Sequence, residues 1–376
     1  MEFDTILIAY GELTLKSCKV RKRFTNILIH NIKQALKDSG AQFEVSYDLS
    51  RAYVKTKEIK KAIDVLKRVF GISWFAPSLH LKLSELEDFV KKNWRKFVDE
   101  SKTFAVRVKR VGKHDFTSME LASKLGSYIG AKVDLTNPRQ TVYVEVRQDD
   151  CYLFTQKIKG AGGLPVGSSG RVVVLFSDGI DSPVATWFML KRGCEVSVLI
   201  GRMLKDRKYA NKIKKLLKLL SKWSAGRKIR VFMYDHFKCM EKVSKVAKSN
   251  TCIICKRMMY RMADIVARIV RAKAIVTGEN LAQVASQTLE NIYTIDEASE
   301  FPVIRPLIGF DKNEIVELAR SIGSYEISTS MTFRCPYKPK RVVTHSNVSL
   351  VKTIEEKIGI EELIKTCSRT LREVEI

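Results

Sequence analysis

Apolar positions in the first part of the chain recur with two alternating periods. Ile6 and Ile8 alternate and predict a first strand. Phe24, Leu28, Ile32, Ala35 and Leu36 then trace one face of a helix that Gly40 stops. Residues 43–47 and 52–55 predict a hairpin, which completes a small α+β unit with a basic helix start. A short helix near 62–69 runs into Phe70-Gly71, and an amphipathic helix covers roughly 84–98. In residues 104–110, Phe104, Val106 and Val108 alternate with Arg107 and Lys109, so a strand there carries one apolar and one basic face. A helix at 120–129 and strands at 141–147 and 151–157 follow.

The stretch 159–170 holds five glycines and a proline in twelve residues, too many for the interior of any element, and the main boundary is set there. Beyond it strands and helices alternate, the mark of a parallel sheet with crossover helices. Strands are predicted at 171–176, 195–200, 228–234, 273–276 and near Val303. Helices are predicted at 183–192, 210–224, 237–248, 256–271 and 312–321. In the 210–224 helix Ile213, Leu216, Leu217 and Leu220 form the buried stripe, and its lysines are expected to face solvent.

Charge changes this picture more than overall composition does. The 376 residues hold 67 Lys and Arg against 41 Asp and Glu, a formal net charge of +26. The excess gathers in runs such as Lys19, Arg21, Lys22 and Arg23, then Lys57, Lys60 and Lys61, then Lys212, Lys214, Lys215 and Lys218. Such clustering points to a polyanionic partner. No stretch of eighteen uncharged apolar residues exists, and the N-terminus lacks a basic segment followed by a long apolar run. Neither a membrane span nor a signal peptide is expected, and the protein is read as cytoplasmic. Eight cysteines are too few and too scattered for a secreted disulfide scaffold. They are expected to be reduced, and Cys18, Cys151, Cys194, Cys239 and Cys367 to be buried or idle thiols.

Val172, Val173, Val174, Leu175 and Phe176 form a continuous apolar run, expected of a strand covered on both faces. It leads at once into Ser177-Asp178-Gly179-Ile180-Asp181-Ser182-Pro183. Gly179 permits a tight turn with positive φ, Ser182 can cap the next helix, and Pro183 suits its first position. Free N–H groups at that helix start make a phosphate cradle. The spacing is neither a Walker A motif nor the dinucleotide G-x-G-x-x-G. It resembles the PP-loop of ATP pyrophosphatases, S-G-G-x-D-S, which holds the pyrophosphate released when ATP is cleaved between its α and β phosphates. Asp178 stands where that pattern has its first glycine, and a carboxylate there repels phosphate unless it binds magnesium or points away. Asp181 is the expected magnesium ligand, because a hard cation bridging phosphates needs oxygen donors.

Further blocks narrow the resemblance. Tyr10-Gly11-Glu12-Leu13-Thr14-Leu15-Lys16, Asp134-Leu135-Thr136-Asn137-Pro138, the 160–167 loop and Cys255-Lys256-Arg257-Met258-Met259 occur in order. Residues 277–288, TGENLAQVASQT, and 305–312, RPLIGFDK, complete the series. Together with the 177–182 loop they resemble the tRNA 4-thiouridine synthetase (ThiI-type) family over nearly all of the chain. The resemblance implies an α/β protein with an N-terminal α+β ferredoxin-like domain (1–55), a THUMP RNA-binding domain (56–165) and a parallel-sheet PP-loop ATP pyrophosphatase domain (166–376). It implies a homodimer acting on the uridine at position 8 of tRNA. It places ATP against Leu175, Phe176, Ser177, Asp178, Gly179, Asp181, Ser182, Ile200, Gly201, Lys256, Gly278 and Gln287. The basic residues Lys16, Lys19, Arg21, Lys22, Arg107, Lys109 and Arg110 are the expected tRNA contacts.

Many bacterial members carry a rhodanese domain with a persulfide-forming cysteine. This chain ends at Ile376, so that domain is expected to be absent and a separate sulfide or persulfide donor to be required. Cys252 and Cys255 stand at the start of the predicted 256–271 helix, where the dipole, Lys256 and Arg257 favour thiolates. Cys335 lies in a predicted loop, Thr332-Phe333-Arg334-Cys335-Pro336-Tyr337. Three readings compete. Cys252 and Cys255 can act as a catalytic redox pair. They can supply half of a zinc site, although no second C-x-x-C or His pair completes one. Or Cys252, Cys255 and Cys335 can hold a 4Fe–4S cluster by three corners, leaving one iron open to hydrosulfide.

The expected chemistry is attack of the uridine O4 on the α-phosphate of ATP, then displacement of AMP by sulfur to give 4-thiouridine. Two alternatives belong to other classes. One is a PP-loop enzyme supplying sulfur to the thiamine thiazole; the other is a non-catalytic THUMP RNA-binding protein, suggested by Asp178.

Overall fold

The structure, a computed structural model, describes residues 2–203, 206–331 and 333–375. Two compact units meet at the Pro165–Val166 bond. In the first, β1 (Thr5–Tyr10), α1 (Cys18–Asp38), β2 (Glu44–Tyr47), β3 (Arg51–Lys55) and α2 (Ile59–Leu66) precede a long strand, β4 (Ile72–Lys82). After it come α3 (Leu83–Asn93), β5 (Phe104–Val111), α4 (Ser118–Ser127), β6 (Gln140–Arg147), β7 (Asp150–Phe154) and β8 (Ile158–Lys159). One sheet joins them in the order β2-β3-β1-β4-β7-β6-β5, with β8 beside β4.

The periodicity reading assigned no element to β4, which contains Pro77. Proline cannot donate to a ladder and argues against a central strand. Here β4 pairs with β1 through residues 72–78, with β8 at Trp74 and Phe75, and with β7 from Leu79 onward. Pro77 falls where neither β8 nor β7 faces it, so no second ladder needs its missing N–H. Leu86, Val90, Leu121 and Leu125 of α3 and α4 pack with Phe104, Val106, Val142 and Val144 in a buried core. Arg51, at the head of β3, pairs with the buried Glu145 of β6 at 3.0 Å.

In the second unit the alternation predicted from sequence is present. Its elements are β9 (Arg171–Leu175), α5 (Asp181–Lys191), β10 (Glu195–Gly201), α6 (Arg207–Ser221), β11 (Arg230–Tyr234), α7 (Phe237–Ala247), α8 (Thr251–Val270) and β12 (Ala274–Val276). They continue as α9 (Leu289–Asp296), β13 (Val303–Ile304), α10 (Lys312–Ile322), α11 (Tyr325–Thr329), α12 (Val348–Ile358), α13 (Ile360–Ser368) and β14 (Arg372–Val374). The sheet order is β13-β12-β9-β10-β11-β14, parallel except for β14. Val172, Val173 and Val174 of β9 are buried, as a strand covered on both faces requires.

From β9 the chain winds to β10 and β11, then returns to the opposite side of β9 with β12 and β13. Winding therefore reverses between β9 and β12. The crevice outside the carboxyl ends at such a switch is where open α/β sheets bind ligands. Among the described residues no helix is long and apolar enough to cross a membrane.

Two expectations fail in this unit. Cys239 and Cys367, read as idle thiols, form a disulfide between α7 and α13 with Cα atoms 6.9 Å apart. They lie 128 residues apart in sequence, and spacing along the chain carries no trace of a pairing made by helix packing. The helix expected to begin at Lys256 begins at Thr251, so Cys252 and Cys255 sit inside its first turns.

Candidate active site

The 177–182 loop leaves β9 at the switch and closes on itself through Ser182. The Ser177 N–H donates to the Ser182 hydroxyl at 3.0 Å, and that hydroxyl donates to the Ser177 carbonyl at 3.0 Å. Ser182 is therefore not the helix cap. Helix α5 begins one residue earlier, at Asp181, and Ile180 at its start supplies no side-chain cap. Gly179 does not adopt the positive φ expected of it; a Cβ there would meet only the Ser177 hydroxyl, at 3.5 Å. The glycine that the loop requires is Gly278, just after β12. A Cβ on it would lie 2.9 Å from the Asp181 carbonyl carbon and the Ser182 nitrogen, so the end of β12 and the start of α5 touch backbone to backbone.

Both loop carboxylates are matched by lysines from distant helices. Asp178 Oδ2 lies 2.8 Å from Lys212 Nζ of α6. Asp181 Oδ1 lies 2.7 Å from Lys312 Nζ at the start of α10. Lys212 corrects the view that the α6 lysines all face solvent: its side chain is 4% exposed and its ammonium also donates to the Met331 carbonyl at 2.7 Å. Asp178 thus carries its own counterion within the loop.

Beside the loop is a cavity of about 230 Å³ lined by Leu175, Phe176, Ser177, Asp178, Leu199, Gly201, Met203, Tyr209, Met259, Phe333, Arg334 and Cys335. Of the residues expected to hold nucleotide, Leu175, Phe176, Ser177, Asp178 and Gly201 line it, and the expected sulfur residue Cys335 shares it. Ile200 is buried in the sheet. Gln287 lies in a short turn after Val284, and its Oε1 is buried with no hydrogen-bond partner among the described residues. Thr332, the first residue of the predicted Cys335 loop, lies outside the described residues.

Lys256 is drawn elsewhere. Its ammonium pairs at 2.7 Å with Glu279, which also accepts from Arg305 at 2.9 Å, Tyr260 at 3.0 Å and Thr277 at 3.1 Å. Burial alone would raise the Glu279 carboxyl, but Lys256 and Arg305 together hold it down at about 2. Arg257 is fully buried and pairs with Glu355 and Glu297. The two cations expected to acidify the thiols are thus committed to carboxylates, Lys256 offsetting only part of the desolvation and Arg257 none. Burial pushes the Cys252 thiol up, and burial together with Cys335 and Cys252 pushes Cys255 up further. His236, buried beside them, has Nε2 at 3.1 Å from Cys255 Sγ and Nδ1 at 3.1 Å from the Tyr234 hydroxyl. Burial lowers its imidazole to about 4, so it is neutral at physiological pH.

Cys335 is exposed and Cys252 and Cys255 half-buried. Three thiols that feel one another's charge suit a thiolate-held centre in donor chemistry. Among the described residues, however, no group of three or more His, Cys, Asp or Glu side chains is arranged to hold a metal ion.

In the first unit Lys16, Lys19 and Lys22 are exposed and Arg21 is half-buried, donating to the Leu49 carbonyl at 2.5 Å. Arg107 and Lys109 stand exposed on β5, as the alternation predicts. Arg107 donates to the Leu135 carbonyl, and Arg110 to that of His114 at 3.4 Å. Partial burial lowers the Lys109 ammonium, with Arg51, Arg147 and Lys157 adding to the effect and Glu145 opposing it.

Sequence reasoning missed Lys212, His236, Glu279 and Lys312. Glu279 and Lys312 stood inside the recognised 277–288 and 305–312 blocks; Lys212 was one lysine in a run, with no signal of its own.

The pattern of the ThiI family, described as thiamine biosynthesis protein (ThiI), matches residues 167–360. The ThiI ferredoxin-like domain matches residues 5–76 and the THUMP domain residues 83–156. The chain belongs to the ThiI family. A Methanocaldococcus jannaschii protein named "Probable tRNA sulfurtransferase" is 41% identical over 374 residues, 94% of this chain and 97% of that one. A Sulfurisphaera tokodaii protein of the same name is 38% identical over 358 residues, covering 93% and 94%. The fold matches a 4-thiouridine synthetase crystallised with RNA and bound ATP at a TM-score of 0.91, with 32% identity over the whole of both chains. It matches PH1313 from Pyrococcus horikoshii at 0.70, with 26% identity over 85% of this chain and 99% of that one. The ThiI fold is the one predicted: ferredoxin-like and THUMP domains ahead of a mostly parallel sheet.

Proposed function

We propose that the protein is an ATP-dependent tRNA sulfurtransferase that converts the uridine at position 8 of tRNA to 4-thiouridine. One observation carries this reading: the 177–182 loop, at the switch of the sheet, shares a single cavity with Cys335. A nucleotide held by that loop would have its phosphates beside a cysteine. The uridine O4 attacks the α-phosphate; the O4–P bond forms, the bond to the β-phosphate breaks, and pyrophosphate departs into the loop. Sulfide then adds to C4 and AMP leaves with the original oxygen. Water has to be kept from the adenylate, which it would hydrolyse, and the apolar part of the cavity lining serves that end.

Asp181 is the residue proposed to hold magnesium, since its carboxylate already draws a cation, Lys312, to the loop. The orphaned Gln287 Oε1 suits the exocyclic amine of adenine. Gly278 is kept among the proposed ATP contacts, and its close approach to Asp181 and Ser182 supports the loop beside it. The proposed catalytic thiols are Cys252 and Cys255, which with Cys335 would hold an iron–sulfur cluster; such a cluster, when bound, supplies a site that takes up sulfide. The same thiols serve the redox-pair reading, in which one receives a persulfide sulfur and the other closes a disulfide on it. We assign tRNA binding to the first unit through Lys16, Lys19, Arg21, Lys22, Arg107, Lys109 and Arg110, and infer a homodimer, a cytoplasmic location and a separate sulfur donor. Three domains, 1–55, 56–165 and 166–376, remain the proposed division of labour.

A non-catalytic RNA-binding protein was suggested by Asp178 alone. Lys212 neutralises that carboxylate and removes the reason for it. The test is thiolation of tRNA in vitro with ATP and sulfide, followed by mass analysis of the nucleosides. Cys252→Ala, Cys255→Ala and Cys335→Ala should each abolish 4-thiouridine while leaving tRNA affinity within about twofold. Full activity in all three variants would sink the sulfur assignment. Absence of tRNA-dependent pyrophosphate release from the unaltered protein would sink the function itself. Absorbance near 400 nm in an anaerobic preparation (roughly where such clusters absorb) separates cluster from redox pair.

A further inference from the structure

Lys212 has one partner too many for a simple counterion. Its ammonium reaches from α6 to Asp178 in the phosphate loop at 2.8 Å and to the Met331 carbonyl at 2.7 Å. Met331 lies four residues before Cys335. The Phe333 ring stands 5.8 Å from the same ammonium and packs edge-on against Tyr209 of α6, with ring centres 5.2 Å apart. A second tie runs parallel to it: the Ser328 hydroxyl donates to the Gly179 carbonyl at 3.2 Å. The phosphate loop and the chain leading to Cys335 are therefore joined twice, and Lys212 is the charged joint.

An ammonium has three N–H donors. Two are used, and the third has no partner among the described residues. Asp178, which Lys212 neutralises, lines the cavity beside the phosphate loop. A triphosphate entering next to Asp178 brings several negative charges against one carboxylate, and Lys212 is the buried cation within reach of that conflict. It must reapportion its bonds between Asp178, Met331 and the phosphates.

We propose that Lys212 is a phosphate-sensing and positioning residue: its ammonium binds a phosphate oxygen of the nucleotide, and its hold on Met331 transmits nucleotide occupancy to the segment bearing Cys335. The proposal rests on the reading of the 177–182 loop as the phosphate site. It gives the sulfur-carrying segment a means of closing only over a loaded nucleotide. In chemical terms, sulfur delivery would then be coupled to the presence of something to displace.

The test is hydrogen exchange of the full chain with and without Mg-ATP, combined with ATP affinities. In the unaltered protein ATP should slow exchange both at residues 177–182 and at residues 333–338. Lys212→Met combined with Asp178→Asn removes both charges together. It should retain ATP protection at the loop, lose it at 333–338, and weaken ATP binding about tenfold, a single charge-assisted hydrogen bond. Lys212→Arg should restore part of the protection at 333–338. Asp178→Asn alone gives an opposite sign: freed from its carboxylate, Lys212 should bind ATP several-fold more tightly, whereas a purely structural pair would weaken ATP binding when broken. Unchanged ATP affinity with full protection at 333–338 in the double variant would overturn the proposal, as would weaker ATP binding by Asp178→Asn. Should ATP fail to protect residues 177–182 even in the unaltered protein, the phosphate-loop reading falls first and takes this one with it.

Discussion

Two lysine–carboxylate sites stand at neighbouring strand ends, and they differ in what surrounds them. After β9, Asp178 and Asp181 each hold one lysine; Asp178 lines a cavity, and Lys312 remains 43% exposed. After β12, Glu279 is buried and saturated by Lys256, Arg305, Tyr260 and Thr277. The first arrangement can trade partners with an incoming polyanion because Lys312 is partly solvated and the buried Lys212 keeps the Met331 carbonyl as a second partner. The second cannot, because any partner lost from Glu279 leaves a charge stranded in the interior. Identical side-chain chemistry thus yields an exchangeable site at one strand end and a fixed brace at the next.

Breaking the brace should produce the largest effect. Glu279→Ala leaves Lys256 and Arg305 without their shared carboxylate, and loss of one partner from a buried ion pair costs about 3–5 kcal/mol. Denaturant unfolding should register that loss, whereas Asp181→Ala, whose lysine is 43% exposed, should cost clearly less. Equal losses would erase the distinction.

Gly278→Ala comes next. Its new Cβ would sit 2.9 Å from the backbone of Asp181 and Ser182, so the loop must move away from β12. Overpacking of this kind costs about 1–3 kcal/mol, and the displaced loop should bind ATP at least tenfold more weakly. Gly179→Ala is the control: its Cβ meets only a serine hydroxyl, and its stability should stay within about 0.5 kcal/mol of the unaltered protein.

How legible these sites were depended on whether their determinants were local. The 177–182 loop and the parallel alternation could be read because a strand end, a turn and a helix start are adjacent in sequence. The partners of Asp178 and Asp181 could not, since Lys212 and Lys312 arrive from helices 34 and 131 residues away. The same limit hid the Cys239–Cys367 pairing. It also inverted the expectation for Cys252 and Cys255, where local cations argued for acidic thiols and burial, a property of the fold, raised them instead. Nor did periodicity assign β4, where Pro77 is tolerated because no second ladder faces it.

Acid should separate the two sites more gently. Glu279 has its folded carboxyl depressed to about 2 from an ordinary 4.5, so its contribution is fully present above pH 4.5 and disappears as pH falls toward 2. The stability difference between the unaltered protein and Glu279→Gln should therefore be constant from neutral pH down to about 4.5 and shrink below it. A difference that grows on acidification would contradict the ionised brace.

The smallest expected effect is also the one that best isolates exchangeability. Lys312 and Asp181 form a half-exposed pair, and such pairs contribute about 0–1 kcal/mol, less in salt. Lys312→Ala should leave the unfolding midpoint almost unchanged. Removing the lysine nevertheless deprives Asp181 of its resident cation, and a carboxylate without a competitor binds a divalent cation more readily. Magnesium should then support ATP binding at several-fold lower concentration in Lys312→Ala than in the unaltered protein. The shift should fade as ionic strength rises and screens the charge being replaced. A large loss of stability would make Lys312 a brace like Lys256, and an unchanged magnesium requirement would mean that Asp181 does not hold the metal.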